Sequence, residues 1–131
     1  MCGICGHVDL ERRPVEPGPV QAMLDAMVHR GPDAVGMYQA PGIAAGIRRL
    51  AVIDLQHGDQ PISSEDGGVT VVFNGEIYNY RELRDELVGL GHKFQTESDT
   101  ETIVHGYKQW GEDVLLRLNG MFGLAVWDER R

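Results

Sequence analysis

The second residue constrains this chain more than any other feature. Cys2 stands directly behind Met1 in Met1-Cys2-Gly3-Ile4-Cys5-Gly6, and an initiator methionine is normally trimmed when the next side chain is this small. Trimming leaves a thiol and a free α-amine on one carbon. The amine titrates at roughly 7.7–8.0, so a good part of it is an unprotonated base at neutral pH. The thiol, with a reference pKa of about 8.5, becomes a nucleophile when that base takes its proton, directly or through one water. Gly3 to Leu10 is short, apolar and partly alternating, which predicts a first strand with the nucleophile at its tip. The competing reading of a Met-Cys start is a buried structural cysteine, and the rest of the chain decides between them.

A chain of 131 residues suits one domain. Twelve Lys and Arg against twenty Asp and Glu give a net charge of −8, without a basic run, which argues against nucleic acid as a partner. No apolar run approaches the roughly 18 residues of a membrane span, and the N-terminus has neither a basic nor an apolar signal region, so a soluble cytoplasmic protein is expected. Cys2 and Cys5 do not make a disulfide framework. A redox pair would need a strand ahead of it, and a zinc site two more ligands. The five histidines, at positions 7, 29, 57, 92 and 105, have no paired ligand spacing, so no metal site is expected.

After a proline-rich loop from Arg12 to Pro19, the apolar residues Val20, Met23, Leu24, Met27 and Val28 recur at helical spacing and predict a core-facing helix. It stops at His29-Arg30-Gly31-Pro32-Asp33. Ala34 to Asp54 reads as strands divided by a turn at Pro41-Gly42, with Arg48 and Arg49 opening the apolar run to Asp54. An Arg at a strand end is usually solvated, but its planar guanidinium also suits a bidentate grip on a carboxylate. Residues 55–68 read as loop. Val69 to Phe73 is a β-branched strand leading into Asn74-Gly75, a pair that usually marks a turn. The Asn amide and the Gly N–H are also neutral donors, and two such donors can form an oxyanion hole.

Asn79 followed by Glu82 marks a helix start, with Leu83, Leu87 and Leu90 as its apolar side and Gly89 and Gly91 at its end. Ser98 and Glu101 form a capping-box pattern ahead of a helix with Ile103, Tyr107 and Trp110 inward and Gly111 behind it. Asp99 then falls in the first turn, either as a dipole-favoured carboxylate or as a partner for an ammonium group. A short helix at Asp113–Leu118 and a strand at Met121–Trp127 complete the pattern.

Cys2-Gly3-Ile4, His29-Arg30-Gly31-Pro32-Asp33, Arg49-Leu50-Ala51-Val52-Ile53-Asp54, Asn74-Gly75-Glu76-Ile77-Tyr78-Asn79 and Ser98-Asp99-Thr100-Glu101 stand in one order along the chain. In that order the sequence resembles the class II glutamine amidotransferase domain of glutamine-hydrolysing asparagine synthetases. The resemblance implies an α+β fold of the N-terminal nucleophile hydrolase type, a four-layer α/β/β/α sandwich. It also implies that residues 1–131 are the N-terminal part of that domain, incomplete at the C-terminal end, with the remainder and a synthetase domain absent.

The roles it implies are residue-specific. Cys2 attacks the side-chain amide of glutamine, and its α-amine shuttles the proton. Asn74 and Gly75 hold the oxyanion, Arg49 the α-carboxylate, and Glu76 and Asp99 the α-ammonium, while the backbone of Leu50, Ala51, Val52 and Ile53 lines the pocket. The implied partner is an ammonia-accepting synthetase domain, where ATP and magnesium act, and the resemblance allows a homodimer. No cofactor is expected in this chain itself. Cys5 departs from the apolar residue expected there. Two other readings stand beside this one: another class II amidotransferase, making glucosamine phosphate or phosphoribosylamine, and a non-catalytic interaction module that kept the fold.

Overall fold

The computed structural model describes residues 2–131, and Met1 lies outside the described residues. Strands β1 (Gly3–Val8), β2 (Ala34–Ala40) and β3 (Ile43–Arg49) form an antiparallel sheet in the order β1-β3-β2. β2 turns into β3 at Pro41-Gly42, where Gly42 has φ of 89°, a conformation that favours glycine. A second antiparallel sheet has the order β4-β5-β6, with β4 at Ile62–Ser63, β5 at Val69–Ile77 and β6 at Gly120–Asp128. The helices are α1 (Gly18–Ala26), α2 (Tyr80–Gly89) and α3 (Asp99–Trp110), and a 3-10 helix follows at Gly111–Leu116.

Three apolar clusters define the layers. Val20 and Leu24 of α1 pack with Ala44 of β3 and with Val15. An added Cβ on Gly46 would come within 2.8 Å of Leu24, so α1 sits close on the sheet backbone. On the opposite face of β3, Ile43 and Ala45 meet Val72 of β5, with Trp127 and Tyr38 beside them, and this seam joins the two sheets. Val69, Val71 and Phe73 of β5 then face Ile103 and Val104 of α3. α2 packs against α3 on the outside. The order is therefore α1, first sheet, second sheet, then α2 with α3. β5 is buried throughout Val69–Phe73, Thr70 included, because both its faces are covered.

Several sequence expectations change. Of the α1 stripe only Val20 and Leu24 are buried; the helix ends at Ala26, and Met23 and Val28 are exposed. Leu90 follows the end of α2 and is also exposed. The apolar run after Arg49 is not strand. Asp33 accepts the Ala51 N–H, and Asp54 adopts φ of 49°, so the chain leaves the sheet as a loop.

Asn74-Gly75 is not a turn either. β5 continues through it to Ile77, paired with β6 in the register Gly75 to Phe122 and Ile77 to Gly120. A Cβ on Gly75 would collide with the Met121 carbonyl and Phe122, and one on Gly120 with the Glu76 carbonyl, so glycines on both strands permit a close backbone approach.

Ser98 caps α3 as expected, its Oγ accepting the Thr100 N–H at 3.1 Å. The reciprocal half of the box does not form. Glu101 accepts instead from the N–H groups of Gln95 and Thr96 and from the Thr96 hydroxyl, binding the preceding loop to the helix. The short helix expected at Asp113 is the 3-10 helix from Gly111. The expected strand at Met121 extends one residue further at each end.

Candidate active site

A cavity of about 170 Å³ opens beside the tip of β1. Its walls come from five separated segments: Cys2; Arg49 and the loop after β3; the Phe73-Asn74-Gly75-Glu76 stretch of β5; Ser98-Asp99-Thr100 at the start of α3; and Met121 of β6. Every residue assigned a site role from the sequence lines it except Ala51. Ala51 is turned to structural use by its N–H bond to Asp33.

Cys2 is held by the loop after β3. Its Sγ accepts the Leu50 N–H at 3.3 Å and lies 3.6 Å from the Leu50 carbonyl, and its own carbonyl accepts from Arg30 Nη2 at 3.1 Å. The His29-Arg30-Gly31-Pro32-Asp33 motif thereby acquires roles that the sequence left open. Arg30 fixes the backbone of Cys2, and Asp33 donates its N–H to the Arg49 carbonyl while its carboxylate holds Ala51. Gly31 lies against the backbone of Arg48 and Arg49, where a Cβ would not fit.

The Arg49 guanidinium is buried and already engaged. Nη2 donates to the carbonyls of Ile53 at 2.9 Å and Asp54 at 2.6 Å, and Nη1 donates to Asp59 Oδ1 at 2.8 Å. Each paired edge of a guanidinium includes one Nη2 hydrogen, so the guanidinium does not present the free fork expected from the sequence. What remains is a positive charge with Nε–H and one Nη1 hydrogen.

Asn74 and Gly75 are carried on a paired strand. Asn74 Oδ1 is buried and, among the described residues, has no hydrogen-bond partner. Buried polar atoms are ordinarily satisfied, and an orphan in a cavity wall is a group that a ligand can satisfy. Asp99 is also buried, and its Oδ2 accepts the Ile77 N–H at 3.1 Å, tying the end of β5 to the start of α3. Burial pushes the Asp99 carboxyl up, against the pull of backbone N–H groups. Burial also raises Glu76, and the neighbouring Asp99 charge adds to it. Two carboxyls crowded in this way favour a cation between or beside them.

Gln60 lines the cavity and was missed by the sequence reading. Its Oε1 accepts the Phe73 N–H at 2.7 Å and its Nε2 donates to Thr100 Oγ1 at 3.1 Å, so one amide braces β5 to α3. Nothing in the spacing of a loop glutamine marks this. Among the described residues no group of three or more His, Cys, Asp or Glu is placed to hold a metal ion, and no helix is long and apolar enough to cross a membrane.

The model of the glutamine amidotransferase domain matches residues 1–131, the whole length. The chain belongs to the class II glutamine amidotransferase domain family. Among curated relatives of this amidotransferase domain, it is 42% identical over 134 residues to the glutamine-hydrolysing asparagine synthetase 3 of Bacillus subtilis, covering all of this chain and 22% of that protein. Identity is 39% to asparagine synthetase 1 of the same organism, with 98% and 21% covered. It is 37% to a probable asparagine synthetase of Dictyostelium discoideum, with 99% and 24% covered. The chain thus spans about a fifth of the length of these relatives.

Among solved structures, a glutamine phosphoribosylpyrophosphate amidotransferase from B. subtilis superposes with a TM-score of 0.71 at 22% identity, over 98% of this chain and 35% of that one. That likeness concerns the fold alone, the α+β sandwich of two antiparallel sheets between helices described above.

Proposed function

We propose that this domain hydrolyses the side-chain amide of glutamine with Cys2 as nucleophile and delivers ammonia to a synthetase portion of a longer protein, for the ATP-dependent synthesis of asparagine or a related amide. The observation that carries the reading is the convergence of Cys2, Arg49, Asn74, Gly75, Glu76 and Asp99 on one cavity, from four distant segments. The asparagine synthetases matched along the whole chain support the acceptor. The two free cysteines accord with work in the reducing cytoplasm.

Removal of Met1 frees the Cys2 amine. That amine takes the thiol proton as sulfur attacks the amide carbon, and the carbonyl oxygen becomes an oxyanion held by Asn74 Nδ2 and the Gly75 N–H. The tetrahedral species collapses with cleavage of the C–N bond, the amine returns the proton to nitrogen, and ammonia leaves a glutamyl thioester. Water then cleaves the thioester, giving glutamate and the free thiol. Arg49 meets the α-carboxylate, and Glu76 and Asp99 meet the α-ammonium. ATP and magnesium act in the synthetase portion, outside this chain, and no step here runs through them.

The test compares full-length protein with Met1 removed and with Met1 retained, processing being verified by mass spectrometry. Retention turns the α-amine into an amide, which is no base at neutral pH, so glutaminase activity falls to near background. A Cys5→Ser protein keeps most of its activity, whereas a Cys2-Cys5 redox pair would lose its own. Full activity with Met1 in place would refute the nucleophile.

A further inference from the structure

We propose that Asp59 is a built-in competitor for Arg49: it offsets the charge of the guanidinium and occupies one of its Nη1 hydrogens, so that a substrate α-carboxylate binds less tightly than Arg49 alone would allow. This rests on the reading of Arg49 as the carboxylate site.

The geometry comes from the loop after β3. With Nη2 committed to the carbonyls of Ile53 and Asp54, new carboxylate contacts depend on Nη1 and Nε. One Nη1 hydrogen is taken by Asp59 Oδ1 at 2.8 Å. The Arg49 side chain is only 6% exposed, while that of Asp59 is 70% exposed. The pair therefore joins a buried cation to a carboxylate that is mostly in water. Gly58 and Gln60, on either side of Asp59, line the cavity, whereas Asp59 itself does not, and its carboxylate reaches the cavity-lining Arg49 from a side chain that is mostly in solvent.

Gly58 is seated directly on the guanidinium, since a Cβ there would stand 2.6 Å from Nη2, so the loop holds Asp59 in reach of Arg49. Among the described residues, the Asp59 carboxylate has no other hydrogen-bond or ion-pair partner. One contact to a side chain that is otherwise solvated is weak and exchangeable. A second carboxylate approaching the same guanidinium meets the negative charge of the first, and binding is weakened by what it takes to displace it. Glu76 and Asp99 already make this pocket acidic, so Asp59 tips the field further against an anionic group.

The experiment uses full-length protein carrying Cys2→Ala, which binds without turnover, titrated calorimetrically with glutamine and with glutamine α-amide, which lacks the carboxylate. Asp59→Asn and Asp59→Ser each tighten glutamine by roughly three- to fivefold, the scale of one exposed pair, and leave the α-amide unchanged. Glu16→Gln removes the same charge from an exposed site elsewhere and changes neither ligand. Unchanged or weaker glutamine binding in both Asp59 variants overturns the proposal. If Arg49→Gln weakens glutamine alone in that case, the carboxylate role of Arg49 survives and only Asp59 has been misread. If Arg49→Gln weakens neither ligand and the two bind alike, the role of Arg49 fails and that of Asp59 falls with it.

Discussion

The two sides of the cavity are built by different means. Asn74 and Gly75 ride on β5, whose backbone is paired to β6 through nine consecutive partners and braced to α3 by Gln60 and Asp99. Arg49 stands where β3 ends, and its guanidinium is held by carbonyls of the loop that follows rather than by a sheet. In the proposed reaction, the side where charge would develop is fixed by a ladder, and the side that would meet the ligand's α-carboxylate is fixed by a loop. Strand pairing holds atoms to the tolerance that electrostatic stabilisation of a transition state needs. A loop can exchange partners as ligand arrives.

The sharpest break in this contrast is Asn74→Ala in full-length protein. It removes a donor from the ladder side and lowers kcat for glutamine hydrolysis by roughly 10² to 10³, with a much smaller change in glutamine affinity. Steady-state kinetics together with equilibrium binding read both numbers; a full-rate enzyme would exclude Asn74 from the oxyanion hole.

A smaller effect, of the opposite kind, is expected from Asp54→Ala. The Asp54 carboxylate accepts the N–H groups of Glu97 and His57, at 2.8 and 3.0 Å, and so pins the loop whose carbonyls hold Arg49. Its loss raises KM about tenfold, the scale of a hydrogen bond to a charged group, while kcat changes little. A fall in kcat with KM unchanged would mean that the loop controls the chemistry.

The smallest effect is on pH dependence. Glu76 is raised by burial and then by the Asp99 charge, and Asp99 is raised by burial. Both must be ionised to meet an ammonium group, so kcat/KM falls on acidification at a pH above the ordinary carboxylate range. In Asp99→Asn the Coulombic push on Glu76 is gone, and the acid limb moves to lower pH on top of a weaker overall binding. The pH profile of kcat/KM for the two proteins checks the direction; an acid limb that stays in place would show that Glu76 is not the titrating group.

Much of the ladder side was legible in the sequence, because Val69–Phe73 carries a strand signal and Ser98 a cap signal, both local. What followed locally was misread wherever a distant partner decided the outcome. Asn74-Gly75 carries turn chemistry, yet β6, more than forty residues on, draws it into a strand. Leu50–Asp54 is apolar enough for a strand, yet Asp33 takes one of its N–H groups and the left-handed Asp54 turns it away. Glu101 has cap spacing, and two loop N–H groups outcompete the Ser98 backbone for it. The site residues were found through resemblance. The work of Gln60 and the engagement of Arg49 by Asp59 were not, because they are long-range contacts of loop side chains without periodicity.

The facing glycines of β5 and β6 also bear on how such a domain could change its preference for a substrate. At Gly75 and Gly120 an added carbon meets a carbonyl of the opposite strand, so no single replacement at either position is accommodated without moving the sheet. Adaptation by point mutation is thereby closed off along this seam and directed to the loop between Leu50 and Gln60, where exposed side chains such as Val52, Leu55 and Asp59 can be exchanged without disturbing a ladder. A library that seeks acceptance of other amides therefore has its productive diversity in that loop, and randomising the seam would return mostly unfolded clones.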